Sequence, residues 1–101
     1  MDKNVVDMPE ISIIMPVYNA EKTVERMLDS IISQTFRDWE LIAVDDGSSD
    51  NSSRILDSYA IKDSRIHVIH KSNAGVAAAR QDGIDRATGA YTIQADSDDW
   101  T

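Results

Sequence analysis

Leu41-Ile42-Ala43-Val44-Asp45-Asp46-Gly47-Ser48-Ser49-Asp50 changes character within a single peptide bond. Four consecutive apolar residues predict a strand with neither face in solvent, and therefore a sheet covered on both sides. Asp45, Asp46 and Gly47 end that strand abruptly. Ser48, Ser49, Asp50 and Ser52 then crowd the next helix start with side-chain oxygens able to cap it. A buried strand turning directly into a helix is the building unit of a parallel α/β sheet.

Working outward, the same unit recurs. Upstream, Ile11 to Met15 is an apolar, β-branched run closed by Pro16, and reads as another buried strand. Asn19 is placed to cap a helix beginning near Glu21. Val24, Met27, Leu28, Ile31 and Ile32 give that helix one apolar stripe to about Gln34. Downstream, Ile55, Leu56 and Tyr59 form the buried face of a second helix, and Ile66 to Ile69 a third strand. Asn73-Ala74-Gly75 opens a third helix with Val76, Ala79, Ile84 and Ala87 toward the core, stopping near Gly89. Tyr91 to Ala95 forms a fourth strand, in which Thr92 and Gln94 make a polar alternation fit for a sheet edge. Residues 1–10 read as a flexible leader. The alternation predicts right-handed crossovers and a three-layer α/β/α fold with a mostly parallel sheet.

In open sheets of this kind ligands sit at the carboxyl ends of the strands. Three polar clusters fall there: Pro16-Val17-Tyr18-Asn19, Asp45-Asp46-Gly47-Ser48 and Asp96-Ser97-Asp98-Asp99. Asp96, Asp98 and Asp99 are tolerable so close together only in water or around a cation. Hard oxygen ligands at this spacing suit Mg²⁺ or Mn²⁺, which keep waters and share a substrate phosphate. An EF-hand is excluded because its glycine and distal glutamate are missing. Each feature also has a plainer reading: Asp45-Asp46-Gly47 as a strand-to-helix turn, the acidic run as a solvated loop, Arg80 as a solvent-facing charge and Tyr18 as an interface aromatic. His67 and His70 are three apart on a strand, point to opposite faces and are read as structural. Trp39 is expected to pack at the start of the second strand.

Composition narrows the class. The chain has 101 residues, one domain at most, with 42% apolar and 28% charged residues. A net charge of −8 argues against nucleic acid or an anionic membrane as partner. No cysteine is present, which excludes disulfides, zinc–thiolate sites and thiol nucleophiles and is compatible with a reducing cytoplasm. The longest apolar stretch, Ile13 to Tyr18, is too short to span a bilayer, and residues 1–10 lack the apolar core of a signal peptide.

Taken in order, Ser12-Ile13-Ile14-Met15-Pro16-Val17-Tyr18-Asn19, Val44-Asp45-Asp46-Gly47-Ser48-Ser49-Asp50, Gly75-Val76-Ala77-Ala78-Ala79-Arg80 and Asp96-Ser97-Asp98-Asp99 resemble the signatures of family 2 glycosyltransferases. The resemblance implies the GT-A fold, with residues 11–101 as its Rossmann-like, nucleotide-sugar-binding part, truncated at the C-terminus. It implies transfer of a sugar, with inversion, from a nucleoside diphosphate donor (UDP most commonly) in polysaccharide or cell-envelope glycan synthesis. It further implies that Pro16, Val17 and Tyr18 line the base and ribose, that Asp46 accepts a hydrogen bond from the base, and that Asp45 supports that pocket. Arg80 reaches the base or phosphates, Asp96 lies near the ribose, and Asp98 of the Asp-x-Asp signature holds Mn²⁺ or Mg²⁺, with Asp99 assisting. The catalytic base of the family lies beyond the point matching Thr101, so no catalytic residue is assigned. A sugar or lipid-linked acceptor is implied, in the cytoplasm or at the inner face of the membrane. Gln94 and Gln81 depart from the family's usual residues.

Other classes fit less well. A dinucleotide-binding domain needs a glycine-rich turn where Pro16-Val17-Tyr18-Asn19 stands. A receiver-like, Mg²⁺-binding signalling domain needs its acids after the first and third strands, not the second and fourth. A fragment that binds nucleotide without catalysis is the expected behaviour of these 101 residues alone, with self-association through the fourth strand's open edge.

Overall fold

A computed structural model of the chain describes residues 9–95. β1 (Ile11–Val17), α1 (Val24–Ser33), β2 (Trp39–Asp46), α2 (Ser52–Lys62), β3 (Ile66–Lys71), α3 (Val76–Arg86) and β4 (Tyr91–Gln94) follow one another in the expected alternation. All strand pairs are parallel, in the order β3-β2-β1-β4. The first three strands step outward in one direction, and the chain then crosses back to the far side of β1. With right-handed crossovers, that reversal puts the third helix on the opposite face from the first two.

The core divides accordingly. Ile13, Met15, Val17, Leu41, Ala43 and Ile66 pack with Val24 and Leu28 of α1 and Leu56 of α2. Ile14, Ile42 and Val44 pack with Ala79 of α3. Alternate residues of each strand thus serve alternate layers, and β2 is buried along its whole length. α3 comes unusually close to the sheet at Gly83, where a Cβ would lie 2.5 Å from Ile14 Cγ2. Ala79 and Gly83, one turn apart, set the phase of this helix. Ile84, expected in the core, is therefore rotated out of the interface and lies 39% exposed.

Boundaries differ from expectation where backbone partners decide them. β1 continues through Pro16. The carbonyls of Glu10 and Ile14 accept the N–H groups of Tyr91 and Ala95 at 2.9 Å, so Pro16, in the same phase, faces the β4 side beyond the last paired β4 residue. The N–H that proline lacks is therefore not one that the β1–β2 ladder uses. α1 begins at Val24, not near Glu21, after a turn in which Thr23 and Val24 donate to the Ala20 carbonyl. Asn19 does not cap it. β2 and β3 each extend past the apolar run that announced them. Among the described strands β4 is outermost on its side, and all four of its residues are exposed.

A buried polar latch joins the α3–β4 connection to the amino end of the sheet. The Ser12 hydroxyl donates to Glu40 Oε2 at 2.6 Å and accepts the Gly89 N–H at 2.8 Å. Glu40 Oε2 also accepts the Thr88 N–H at 2.8 Å and its hydroxyl at 3.1 Å. Burial pushes the Glu40 carboxyl up, but the Ser12 and Thr88 donors and His67 outweigh it and hold it below its ordinary value.

Candidate functional site

The carboxyl ends of β1 and β2 lie side by side, with Val17 in register with Asp45. The two adjacent acids point to opposite layers, as the strand period requires. Asp45, 4% exposed, faces the α1–α2 layer: Oδ1 accepts the Ser48 N–H at 3.0 Å, and Oδ2 lies 3.0 Å from His70 Nδ1. Asp46, fully buried, faces α3. Its oxygens accept the N–H groups of Ala74 and Gly75, each at 2.9 Å, where α3 begins. Its main-chain carbonyl accepts the Asn73 side-chain amide at 3.1 Å. Gly47 follows with φ +76°, and a Cβ there would meet Asn73 N at 2.7 Å. Only glycine lets the 73–75 loop close over the end of β2.

The loops after β1 and β2 are laced together. Asn19, with φ 47°, donates its N–H to Ser48 Oγ at 2.9 Å and accepts the Ser49 N–H on Oδ1 at 2.8 Å. Ala20 N–H donates to Ser52 Oγ at 2.8 Å, and Glu21 N–H to Asp50 Oδ2 at 3.2 Å. In return Glu21 Oε1 accepts the Asn51 N–H at 2.8 Å. Burial pushes the Asp50 carboxyl up, but donors from Ser52 and Glu21 outweigh it and hold it low. Of the helix-start oxygens expected as caps, Asp50 Oδ1 accepts the Ser52 N–H at 2.9 Å where α2 begins, while Asp50 Oδ2 and the Ser48 and Ser52 hydroxyls hold the neighbouring loop. A cavity of about 240 Å³ results, lined by Tyr18, Asn19, Ala20, Glu21, Lys22, Thr23 and Asp50. It is smaller than the ~300–1,000 Å³ typical of a complete small-molecule site.

Of the residues singled out in the sequence, Pro16, Val17, Tyr18, Asp45 and Asp46 gather at this edge. Pro16 and Val17 are buried beneath it, and Tyr18 stands at the cavity rim, 36% exposed. Arg80 sits half-buried in the second turn of α3, the helix whose start Asp46 holds. Asp96, Asp98 and Asp99 lie outside the described residues. Ala95, the last described residue, donates its N–H to Ile14 O, and β4, parallel to β1, has its carboxyl end on the same side of the sheet. Among the described residues no group of three or more histidines or acids could hold a metal ion. The Mn²⁺ or Mg²⁺ expected from the sequence falls to Asp96, Asp98 and Asp99, outside the described residues.

His70, read as structural from the sequence, places Nε2 2.8 Å from Asp57 Oδ1 while its Nδ1 meets Asp45. The pairing of His70 with Asp45 depends on the β2–β3 register, which the sequence does not print. His67 points to the other face, 3.6 Å from Glu40, so the two histidines share no ligand. Among the described residues no helix is long and apolar enough to cross a membrane.

The comparisons with known proteins agree with one another. The model of a family described as glycosyl transferase family 2 matches residues 12–101. The chain is 45% identical over 93 residues to the glycosyltransferase EpsJ of Bacillus subtilis (strain 168), covering 92% of this chain and 27% of EpsJ. Among solved structures it resembles residues 1–349 of S. aureus TarS in complex with UDP-GlcNAc, with a TM-score of 0.82 and 32% identity over 90% of this chain and 27% of that one. It also resembles the mannosyltransferase PcManGT of Pyrobaculum calidifontis in complex with GDP-Man and Mn²⁺, with a TM-score of 0.82 and 25% identity over 90% of this chain and 28% of that one.

Proposed function

The chain belongs to glycosyl transferase family 2, and on that premise we propose that it is the donor-binding part of an enzyme that transfers a sugar, with inversion, from a UDP-sugar to an acceptor hydroxyl. The observation that carries this reading is the preformed edge where Tyr18, the laced turn after β2 and the two buried acids meet. It adjoins the place where the strand order reverses between β1 and β4, the usual binding crevice of open α/β sheets.

Placement supports the roles proposed for the described residues, and family membership those proposed for Asp96 and Asp98. Tyr18 offers an aromatic face to the base, over a floor of Pro16 and Val17. Asp45 holds the Ser48 turn. Asp46 acts first by fixing the 73–75 loop, and its oxygens retain lone pairs able to accept from a base N–H. Arg80 supplies positive charge on the α3 side, and Asp96 lies by the ribose. Asp98 would hold Mn²⁺ or Mg²⁺, which when bound neutralises the charge that builds on the leaving diphosphate. The base that deprotonates the acceptor is assigned to another part of the enzyme, since this chain spans 27% of a relative such as EpsJ. A sugar or lipid-linked acceptor, and action in the cytoplasm at the membrane's inner face in envelope glycan synthesis, complete the proposal.

Calorimetric titration with UDP tests it. Binding is expected to strengthen with Mn²⁺, and Asp98→Ala is expected to remove that dependence. Tyr18→Ala, by removing a stacking face worth ~1–3 kcal/mol, is expected to weaken binding roughly tenfold. Absence of UDP binding both with and without Mn²⁺ overturns the proposal. Without the acceptor-activating base, the chain by itself is expected to transfer no sugar to an added alcohol.

A further inference from the structure

We propose that protonated His70 is a positioning residue for nucleotide-sugar binding, tying Asp45 on β2 to Asp57 on α2 and so holding the acidic turn against which the donor rests. The inference rests on the reading of that turn as part of the donor pocket.

Hydrogen-bond inventory supplies the first argument. Both ring nitrogens meet carboxylate oxygens, Nδ1 at 3.0 Å from Asp45 Oδ2 and Nε2 at 2.8 Å from Asp57 Oδ1. An ionised carboxylate only accepts, and a neutral imidazole carries a single N–H. Both contacts are satisfied at once only by the imidazolium ion. With the ring neutral, one contact sets a lone pair against a lone pair.

The second argument is the route to the site. Asp45 is almost fully buried, and its other oxygen accepts the Ser48 N–H. The Ser48 hydroxyl accepts the Asn19 N–H, and Asn19 and Tyr18 line the cavity. His70, Asp45, Ser48 and Asn19 thus form one unbroken line of hydrogen bonds from β3 to the cavity wall.

The surroundings favour the charged ring. Asp45 from β2 and Asp57 from α2 face it, and their hydrogen bonds, Asp45 first, raise its pKa above the ordinary histidine value against the opposing effect of burial. Asp46 and Lys71, the next register pair, point to the opposite face, where Lys71 pairs with Asp82 of α3 at 2.7 Å. Loss of the ring proton as pH rises therefore releases one end of the line.

The test is binding of UDP-GlcNAc, whose diphosphate has no proton to lose near neutrality, measured by calorimetry on the full chain across neutral pH. The wild type is expected to bind less tightly as pH rises through the His70 titration, which is followed in parallel by ring ¹⁵N shifts. His70→Gln is expected to bind on the order of five- to tenfold more weakly below neutrality and to lose the pH dependence. Asp57→Asn, at an exposed position, is expected to move the midpoint of that dependence to lower pH, and His67→Gln to leave it in place. A His70→Gln chain with wild-type affinity and profile, an unmoved midpoint in Asp57→Asn, or a neutral His70 ring in the native chain below neutrality overturns this inference while leaving the donor site standing. Failure of the wild type to bind UDP-GlcNAc at any pH overturns the donor site, and the role of His70 with it.

Discussion

At the scale of single residues, Asp46 shows how a position can look like a ligand contact and also be a structural anchor. Its buried carboxylate satisfies two backbone donors at the start of α3. Asp46→Ala leaves both N–H groups without a partner and is expected to lower stability by about 2 kcal/mol or more in urea denaturation, with Asp46→Asn in between. A loss of nucleotide binding in Asp46→Ala would therefore not by itself prove contact with the base, and Tyr18→Ala is the cleaner probe of the cavity. Gly83 is a second such position. An added methyl would press on Ile14 Cγ2 at 2.5 Å and Val44 Cγ2 at 3.3 Å, both on strands held in the sheet. Overpacking of this kind costs about 1–3 kcal/mol, more than the ~1 kcal/mol that alanine gains over glycine in a helix. Gly83→Ala is expected to lower the urea midpoint.

At the scale of elements, the Ser12–Glu40–Thr88–Gly89 latch decides how β4 is delivered to the sheet. Ser12→Ala removes the acceptor for Gly89 N–H and one donor to Glu40. It is expected to cost about 1–3 kcal/mol and to speed amide exchange at Gly89. The seven elements and their order were legible because β1 and β2 carry continuous apolar runs, β3 and β4 are short segments rich in β-branched residues, and each helix carries its own stripe. The clustering of Tyr18, Asp45 and Asp46 followed from the strand-end rule alone. What sequence could not reveal were pairings over long separations. Asn19 has the chemistry of a local cap, but its partners are Ser48 and Ser49, some 30 residues away. Ile84 sits at an apolar position, but the phase of α3 follows Gly83, whose importance lies in what it lacks. His70 acquires its partner from β2–β3 register and from an α2 rotation that no short-range pattern specifies.

For the whole molecule, titrations set opposite limits on stability. Glu40, Asp50 and Asp63 are held below their ordinary values, so their contribution is complete above about pH 4.5 and is lost as pH falls through the lowered values. His70 is held above 6.5, so its contribution is complete below that pH and is lost as pH rises through the raised value. Denaturation midpoints measured against pH are expected to plateau between these limits and fall on both sides. At the margin of the sheet, β4 exposes Tyr91 at 63% and Ile93 at 49% on an outer strand. Such an edge pairs readily with another chain. Light scattering is expected to show concentration-dependent association, which a monodisperse monomer at high concentration contradicts. The opposed side chains of Asp45 and Asp46 have one more consequence. Because β2 is apolar on both faces between Leu41 and Val44, that stretch would accept either phase of the pleat, and the acids at its ends, Glu40 and the Asp45–Asp46 pair, keep its reading frame. Deleting one residue ahead of them would swap their sides, stripping the α3 loop and the His70 partner in a single stroke. Deleting two would shorten the strand yet restore both.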